Sequence, residues 1–408
     1  MGFTVEQECP QCGAPIDLDE TDRLIRCPYC EVKNFIFFTG NLRFVLPNKA
    51  PDKDLIYVPY LRFRGSVYYC SGQDVGYRIV DLTRLGIAVK GIPGSLGIRP
   101  QALKMRFLTP DIAGGFLKFS LNPGKMIESA GRLSSLAASG EMFHRAFIGE
   151  TVSIIYLPTY IDGNRLFDGI VNRPIVTFED SGESFAAAVK QSPRWKISFL
   201  PTLCPACGWN LEGQRDSIVL ACRNCDRAWA PSNAAFVQVK CYFMTDGDKE
   251  SIYLPFWRIA ASSEGIEINS YADFIRQTNQ PKVVREEWND IDMCFWSPAF
   301  KVRPKIFLSL SRQLTVFQEP GNLKEGLPKG GEYPVTLALS ESIQGMKTVL
   351  AHCSIKKKKV IPKLPTTSFS VKSASLVYLP FTVAGSEMIQ EQMGTCVNKN
   401  TLEFGRHL

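Results

Sequence analysis

The sequence predicts a β-rich α+β protein, built as a tandem duplication in which a small metal-stapled unit precedes a mixed β-sheet domain in each half. Three observations predict it. Eight cysteines fall into four C-x-x-C pairs, which is metal-ligand spacing. A shift of 195 residues lays Cys9, Cys12, Cys27 and Cys30 on Cys204, Cys207, Cys222 and Cys225. Outside the cysteine clusters, short runs of β-branched and aromatic residues alternating with polar ones dominate the chain.

With 408 residues, 45% apolar and 21% charged, the chain is long enough for two or three domains with real cores and is not compositionally disordered. Nowhere do eighteen apolar residues run together, and MGFTVEQECPQCG lacks a basic stretch followed by an apolar one. Glu6 stands where a myristoylation signal needs Ser or Thr. A soluble, cytoplasmic protein without a membrane span or lipid anchor is the expectation. The net charge of +7 permits an acidic partner without requiring one.

In chain order the expected divisions are a first Cys₄ unit over 1–40, a β-rich domain over 41–195, a second Cys₄ unit over 196–235 and a diverged β-rich repeat over 236–408. Both cysteine clusters read C-x2-C-x14-C-x2-C, and the spacers DLDETDRLIR and LEGQRDSIVL are each long enough for a β-hairpin. After them, IYVPYLRFRG (56–65) matches IYLPFWRIA (252–260), IRPQALKMRFLT (98–109) matches VRPKIFLSLSRQLT (302–315), and IYLPTYIDG (155–163) matches VYLPFTVAG (377–385). The growing offset implies insertions in the second half, with the join near 192–201. The Tyr-x-Pro signature thus occurs four times, headed by Tyr57, Tyr156, Tyr253 and Tyr378. Because Pro donates nothing to a ladder, these strands are expected near a sheet edge or a bend. SVYYC, YRIVDL, LKMRFL, PKIFLSL and LVYLPF read as strands, Lys125–Phe147 and Ser184–Gln191 as helices, and Asn322–Pro334 as a surface loop.

Four thiolates from two knuckles converge on one tetrahedral ion, and the Gly after CPQC and CPAC lets the backbone turn its amides toward sulfur. This arrangement resembles the zinc-ribbon and rubredoxin-like families over about thirty residues in each half. The resemblance implies eight metal ligands and a small β fold, and it carries no activity. A Cys₄ site holds zinc or iron. The second knuckles, CPYCE and CRNCD, lack the Gly usual in iron proteins that pass electrons, which favours two Zn²⁺ per chain. The remaining cysteines, Cys70, Cys241, Cys294, Cys353 and Cys396, stand singly among apolar residues, as buried inert thiols do.

These features favour a non-catalytic scaffold or adaptor joined to other proteins of an assembly. The alternatives are nucleic-acid binding and iron-based electron transfer. Against the first, DLDETD is acidic, and around the second ribbon Arg215, Arg223 and Arg227 are balanced by Glu212, Asp216 and Asp226. The one basic run, Lys356–Lys359, reads as a solvated hairpin turn. Arg62 and Arg258 share a place in the repeat and are expected to stack on rings. Phe256, Trp257, Phe295 and Trp296 are expected in the core. No enzyme motif accompanies the three histidines, His144, His352 and His407. Asp246 with Asp248, and Asp290 with Asp292, read as solvated groups, so no catalytic residues are expected.

Overall fold

The computed structural model describes residues 2–72, 74–120, 141–179, 185, 189–190, 195–245, 247, 250–318 and 321–406. It is a strand-rich α+β structure with several sheets. The chain forms two compact units, the first comprising Met1–Arg64, Val80–Ser135 and Thr151–Pro201, the second Gly65–Ile79, Leu136–Glu150 and Thr202–Leu408.

In the first unit, the Tyr156 end of strand Met142–Asp162 runs between the Tyr57 end of strand Ile56–Ser71 and Leu42–Val45. Leu42–Val45 is parallel to it, with Val45 opposite Tyr156, and antiparallel to Met105–Phe107. After Gly163, whose φ of 60° suits glycine, the chain turns back into Arg165–Asp168 and then Pro174–Thr177. Phe44 anchors the core between Phe3 and Phe107.

The second unit repeats this pattern of pairing. Its Tyr378 strand (Ser368–Ala384) runs between the Tyr253 strand (Ile252–Glu264) and Cys241–Met244. Cys241–Met244 is parallel to it, with Phe243 opposite Tyr378, and antiparallel to Leu323–Glu325. After Gly385, at φ 64°, the chain turns back into Glu387–Gln390 and then Thr395–Asn398. Helices Pro304–Phe317 and Leu339–Cys353 add a layer that the first unit lacks among its described residues. Phe256, Trp257, Phe295 and Trp296 are buried there, as the sequence suggests.

The Tyr-x-Pro strands are not edges. Each is flanked on both sides, and each proline falls where one neighbouring segment gives way to the next. Leu42–Val45 ends opposite Tyr156, the Gly169 amide donates to the Pro158 carbonyl at 2.8 Å, and Asp168, the last residue of Arg165–Asp168, pairs with Thr159. The Pro59 carbonyl accepts from Gly86 and the Pro255 carbonyl from Ala299 in the same way. Beside the Tyr378 strand, Cys241–Met244 stops at Tyr378 and Glu387–Gln390 starts opposite Thr382, so Pro380 lies in the gap. A missing N–H costs little where no acceptor faces it.

Four further expectations are corrected. PKIFLSL is helical: apolar residues every three or four positions bury Phe307, Leu310 and Leu314 on one face. Its offset match to IRPQAL survives as a shared helix start at Arg-Pro, where Arg99–Ala102 stops after one turn. Residues 142–147 of the expected Lys125–Phe147 helix are strand, while 125–140 lie outside the described residues. Of Ser184–Gln191, Phe185 is helical as expected, Val189–Lys190 is strand, and the rest lies outside the described residues. Finally, Asn322–Pro334 is more than a loop, since Leu323–Glu325 joins the sheet and Leu327 is buried.

One edge strand is closed by side chains. Beside Cys294–Pro298, Thr315 Oγ1 accepts from the Trp296 amide at 3.0 Å, and Gln318 donates to the Cys294 carbonyl while accepting from its amide. The end of helix Pro304–Phe317 thus imitates a neighbouring strand and blocks edge-to-edge pairing.

Candidate metal centres

Both tetrads assemble. Cys9 Sγ lies 3.6 Å from Cys30 Sγ and Cys12 Sγ 3.7 Å from Cys27 Sγ. In the second, Cys204 to Cys225 is 3.7 Å and Cys207 to Cys222 is 3.5 Å. Within each tetrad all four sulfurs lie within 4.8 Å of one another. A disulfide would need sulfurs at about 2.05 Å. Four thiolates at about 2.3 Å from a tetrahedral ion stand about 3.8 Å apart, so the residues present fit a metal ion of zinc size.

The knuckles explain why the sequence folds this way. The Cys9 amide donates to the Ala14 carbonyl at 2.8 Å and the Gly13 amide to the Cys9 carbonyl at 2.9 Å. Cys204, Trp209 and Gly208 repeat both bonds at 2.7 and 2.8 Å. Gly13 and Gly208 sit at φ 75° and 72°, in the left-handed region. In the second knuckles Glu31 and Asp226 occupy that region at φ 58° and 52° without being glycine. Amides also turn to sulfur. The Cys30 amide and then the Tyr29 amide hold the Cys27 thiol down to about 6. Asn224 and then the Trp209 amide hold Cys207 down to about 6, whereas burial pushes Cys225 up to about 12. A metal ion held here would displace whatever protons the thiols carry.

The two spacers differ. In the second ribbon Glu212 and Ala221 exchange both backbone bonds at 2.8 Å, closing the expected hairpin. In the first ribbon the spacer strands do not pair with each other. Pro15–Asp19 pairs with Thr4–Glu8, and Leu24–Arg26 pairs with Lys33–Phe37. The first tetrad therefore joins two sheets of its unit. Nor are its acidic residues all solvated: Glu20 and Asp22 are buried, and Asp22 accepts from the Asp19 amide at 2.9 Å.

Sequence reasoning missed the partner of Arg62. Its guanidinium is fully buried, 2.9 Å from Glu20 and 3.0 Å from Asp81, and lies over the Phe3 ring. Arg64 approaches Glu20 at 3.6 Å. The signal was available: two arginines on one face of an otherwise apolar strand, Arg62 and Arg64, require a buried carboxylate. Arg258 has no stacked ring and no ion pair among the described residues, and its Nε is buried without a partner.

The remaining candidates lie away from the tetrads. Burial pushes Cys70 and Cys353 up to about 12 and Cys241 to about 11, as inert thiols behave, and Cys294 is also buried. Cys396 is exposed, contrary to expectation, because it faces outward on Thr395–Asn398. His144 and His352 are held down to about 4, mainly by burial. Asp292 is exposed and pairs with Lys372, whereas Asp246, Asp248 and His407 lie outside the described residues. Lys357–Val360 is a helical turn rather than a hairpin turn, and Lys357 is tied to Asp74 at 2.7 Å. No described helix is long and apolar enough to cross a membrane.

No protein-family profile, curated protein or solved structure matches the chain.

Proposed function

We propose that this chain is a non-catalytic scaffold or adaptor subunit of a larger cytoplasmic assembly, made by duplication of one module and stapled by two structural zinc ions. The observation that carries the reading is closure: four sulfurs, spaced as a tetrahedral ion requires, leave no position for water or substrate. The ion's contribution is then to folding, in a segment too small to build its own core. The duplication is supported by the matched pairings around Tyr156 and Tyr378. Elemental analysis is expected to give about two zinc per colourless chain. A ratio near one, or visible thiolate-to-iron absorption, overturns the metal assignment. Sedimentation of native extract is expected to place the chain in a complex well above its own 45.6 kDa, and a lone monomer there overturns the scaffold.

Nucleic-acid binding is the second reading, favoured by Tyr29 and Trp209, which stand 69% and 57% exposed on the two ribbons. Submicromolar binding at about 0.15 M salt, lost when Lys356–Lys359 become Ser, would place it first.

A further inference from the structure

The two units match in their strand pairing and differ in how one turn is held. After each Tyr156-type strand comes a hairpin turn, Asp168–Arg173 in the first unit and Gln390–Thr395 in the second, with Asn172 and Gly394 at equivalent left-handed positions, φ 53° and 58°. The second turn is held by a neutral group: Gln390 Oε1 accepts from the Met393 amide at 2.7 Å, and its Nε2 lies against Met244 Sδ. The first is held by a buried carboxylate. Asp168 Oδ1 accepts from the Ile170 and Val171 amides at 2.9 and 3.3 Å, and Oδ2 pairs with Arg99 at 2.6 Å.

That charge borders a cleft of about 690 Å³, lined by Pro93, Arg99, Val171, Arg173, Pro174 and Ile175 with Asp168 beneath. Among the described residues Arg173 is exposed and has no ion pair, while the Arg99 side chain remains 32% exposed beyond its bond to Asp168. Two guanidiniums against one carboxylate leave the cleft with a net positive charge. The turn that forms one side of it is tied down by backbone bonds. The Gly169 amide donates to the Pro158 carbonyl and the Gly169 carbonyl accepts from Lys49, and a Cβ on Gly169 would stand 2.9 Å from the Pro158 oxygen. A site organised before binding loses little entropy on capture.

We propose that this cleft binds a small organic oxyanion, a carboxylate or phosphate carrying an apolar body. The fork of Arg173 and the free edge of Arg99 take the oxyanion, and Val171, Pro174 and Ile175 take the body. Asp168 does not compete, because amides and Arg99 occupy both its oxygens.

Isothermal titration of the full zinc-loaded chain with benzoate, phenyl phosphate, inorganic phosphate and benzyl alcohol tests this. At least one of the two aromatic anions is expected to bind with Kd below about 1 mM. The tighter of the two identifies the head group. Inorganic phosphate and benzyl alcohol are each expected to bind at least about tenfold more weakly than that anion. Arg173→Gln is expected to weaken the anion at least about tenfold without moving the ligand-free melting temperature, since an exposed arginine holds nothing in the fold. Val171→Asp, also exposed, is expected to do the same. Unchanged affinity in both variants, no binding of either aromatic anion, or equal binding of benzyl alcohol overturns the proposal.

Discussion

The two cysteine tetrads share their sulfur spacing and first-knuckle bonds and share little in how they are attached to the rest of the chain. Around the sulfurs, the same knuckle bonds recur at the same offset. Beyond them, the first ribbon gives its spacer strands to two different sheets and sinks Glu20 onto Arg62. The second keeps its spacer largely to itself through Glu212 and Ala221, and is fastened by ion pairs of Arg223 to Glu332 and Arg406 to Asp216. Coordination geometry tolerates little change, whereas the surface that meets the rest of a unit can be rebuilt so long as each buried charge is paired.

This difference predicts unequal damage when a ligand is lost. In isolated zinc-binding peptides the metal contributes about 10–16 kcal/mol of apparent folding energy. Cys27→Ser is therefore expected to remove hydrogen-exchange protection from Thr4–Glu8, Lys33–Phe37 and Met105–Phe107 together, because these strands pair with the spacer or with its partner. Cys222→Ser is expected to expose chiefly Leu220–Cys222, Arg227–Ser232 and Ala235–Val239, a separate three-stranded sheet. Equal spread of lost protection would mean that attachment does not govern the outcome.

A smaller effect separates the equivalent arginines. Arg62→Met leaves Glu20 buried with only Arg64 nearby and is expected to cost about 3–5 kcal/mol in denaturant unfolding. Arg258→Met removes no ion pair among the described residues and is expected to cost about 1 kcal/mol or less. Comparable losses at the two sites would show that Arg258 has a carboxylate partner after all.

The units differ in acid sensitivity as well. Both described histidines lie in the second unit, held neutral with pKa values near 4 against an unfolded value of 6.5. The unfolded chain binds more protons between those values, so the second unit is expected to lose stability as pH falls from about 6.5 toward 4. Glu150 works in the opposite sense. Burial first, then Glu341, raises it from 4.5 to about 7, so the stability it contributes is present in acid and lost as pH rises through 7. The variant His144→Leu with His352→Leu is expected to flatten the acid loss, and Glu150→Gln to steepen it. A first unit that proves equally acid-labile would point to its carboxylates instead.

Much of this was legible in the sequence, and the failures have physical causes. The two cysteine tetrads were readable because metal-ligand spacing is local and strict, and the strand matches because Tyr-x-Pro is short and repeated. PKIFLSL misled because seven residues of alternating polarity fit strand and helix alike, and only the continuation through Leu314 decides the period. The prolines misled because a missing donor suggests an edge, while a gap between successive neighbours serves equally well. That Arg62 needs a buried carboxylate was readable, but not that Glu20 supplies it, since the two lie forty-two residues apart.

The smallest expected effect is the one that should be the same in both ribbons. Glu31 and Asp226 hold the left-handed conformation that Gly13 and Gly208 hold in the first knuckles. An L-residue with a Cβ carries about 1–2 kcal/mol of strain there, and glycine carries none, though it gives back about 0.5–1 kcal/mol through its freer unfolded chain. Glu31→Gly and Asp226→Gly are each expected to stabilise by a few tenths to about 1 kcal/mol. The ion pair of Glu31 with Arg26, at 3.9 Å between two exposed side chains, is too weak to reverse the sign. Denaturant unfolding of the zinc-loaded variants measures the gain. If Glu31→Gly stabilises and Asp226→Gly destabilises, the Asp226 side chain makes an interaction that outweighs backbone strain, and the two tetrads differ even at the knuckle.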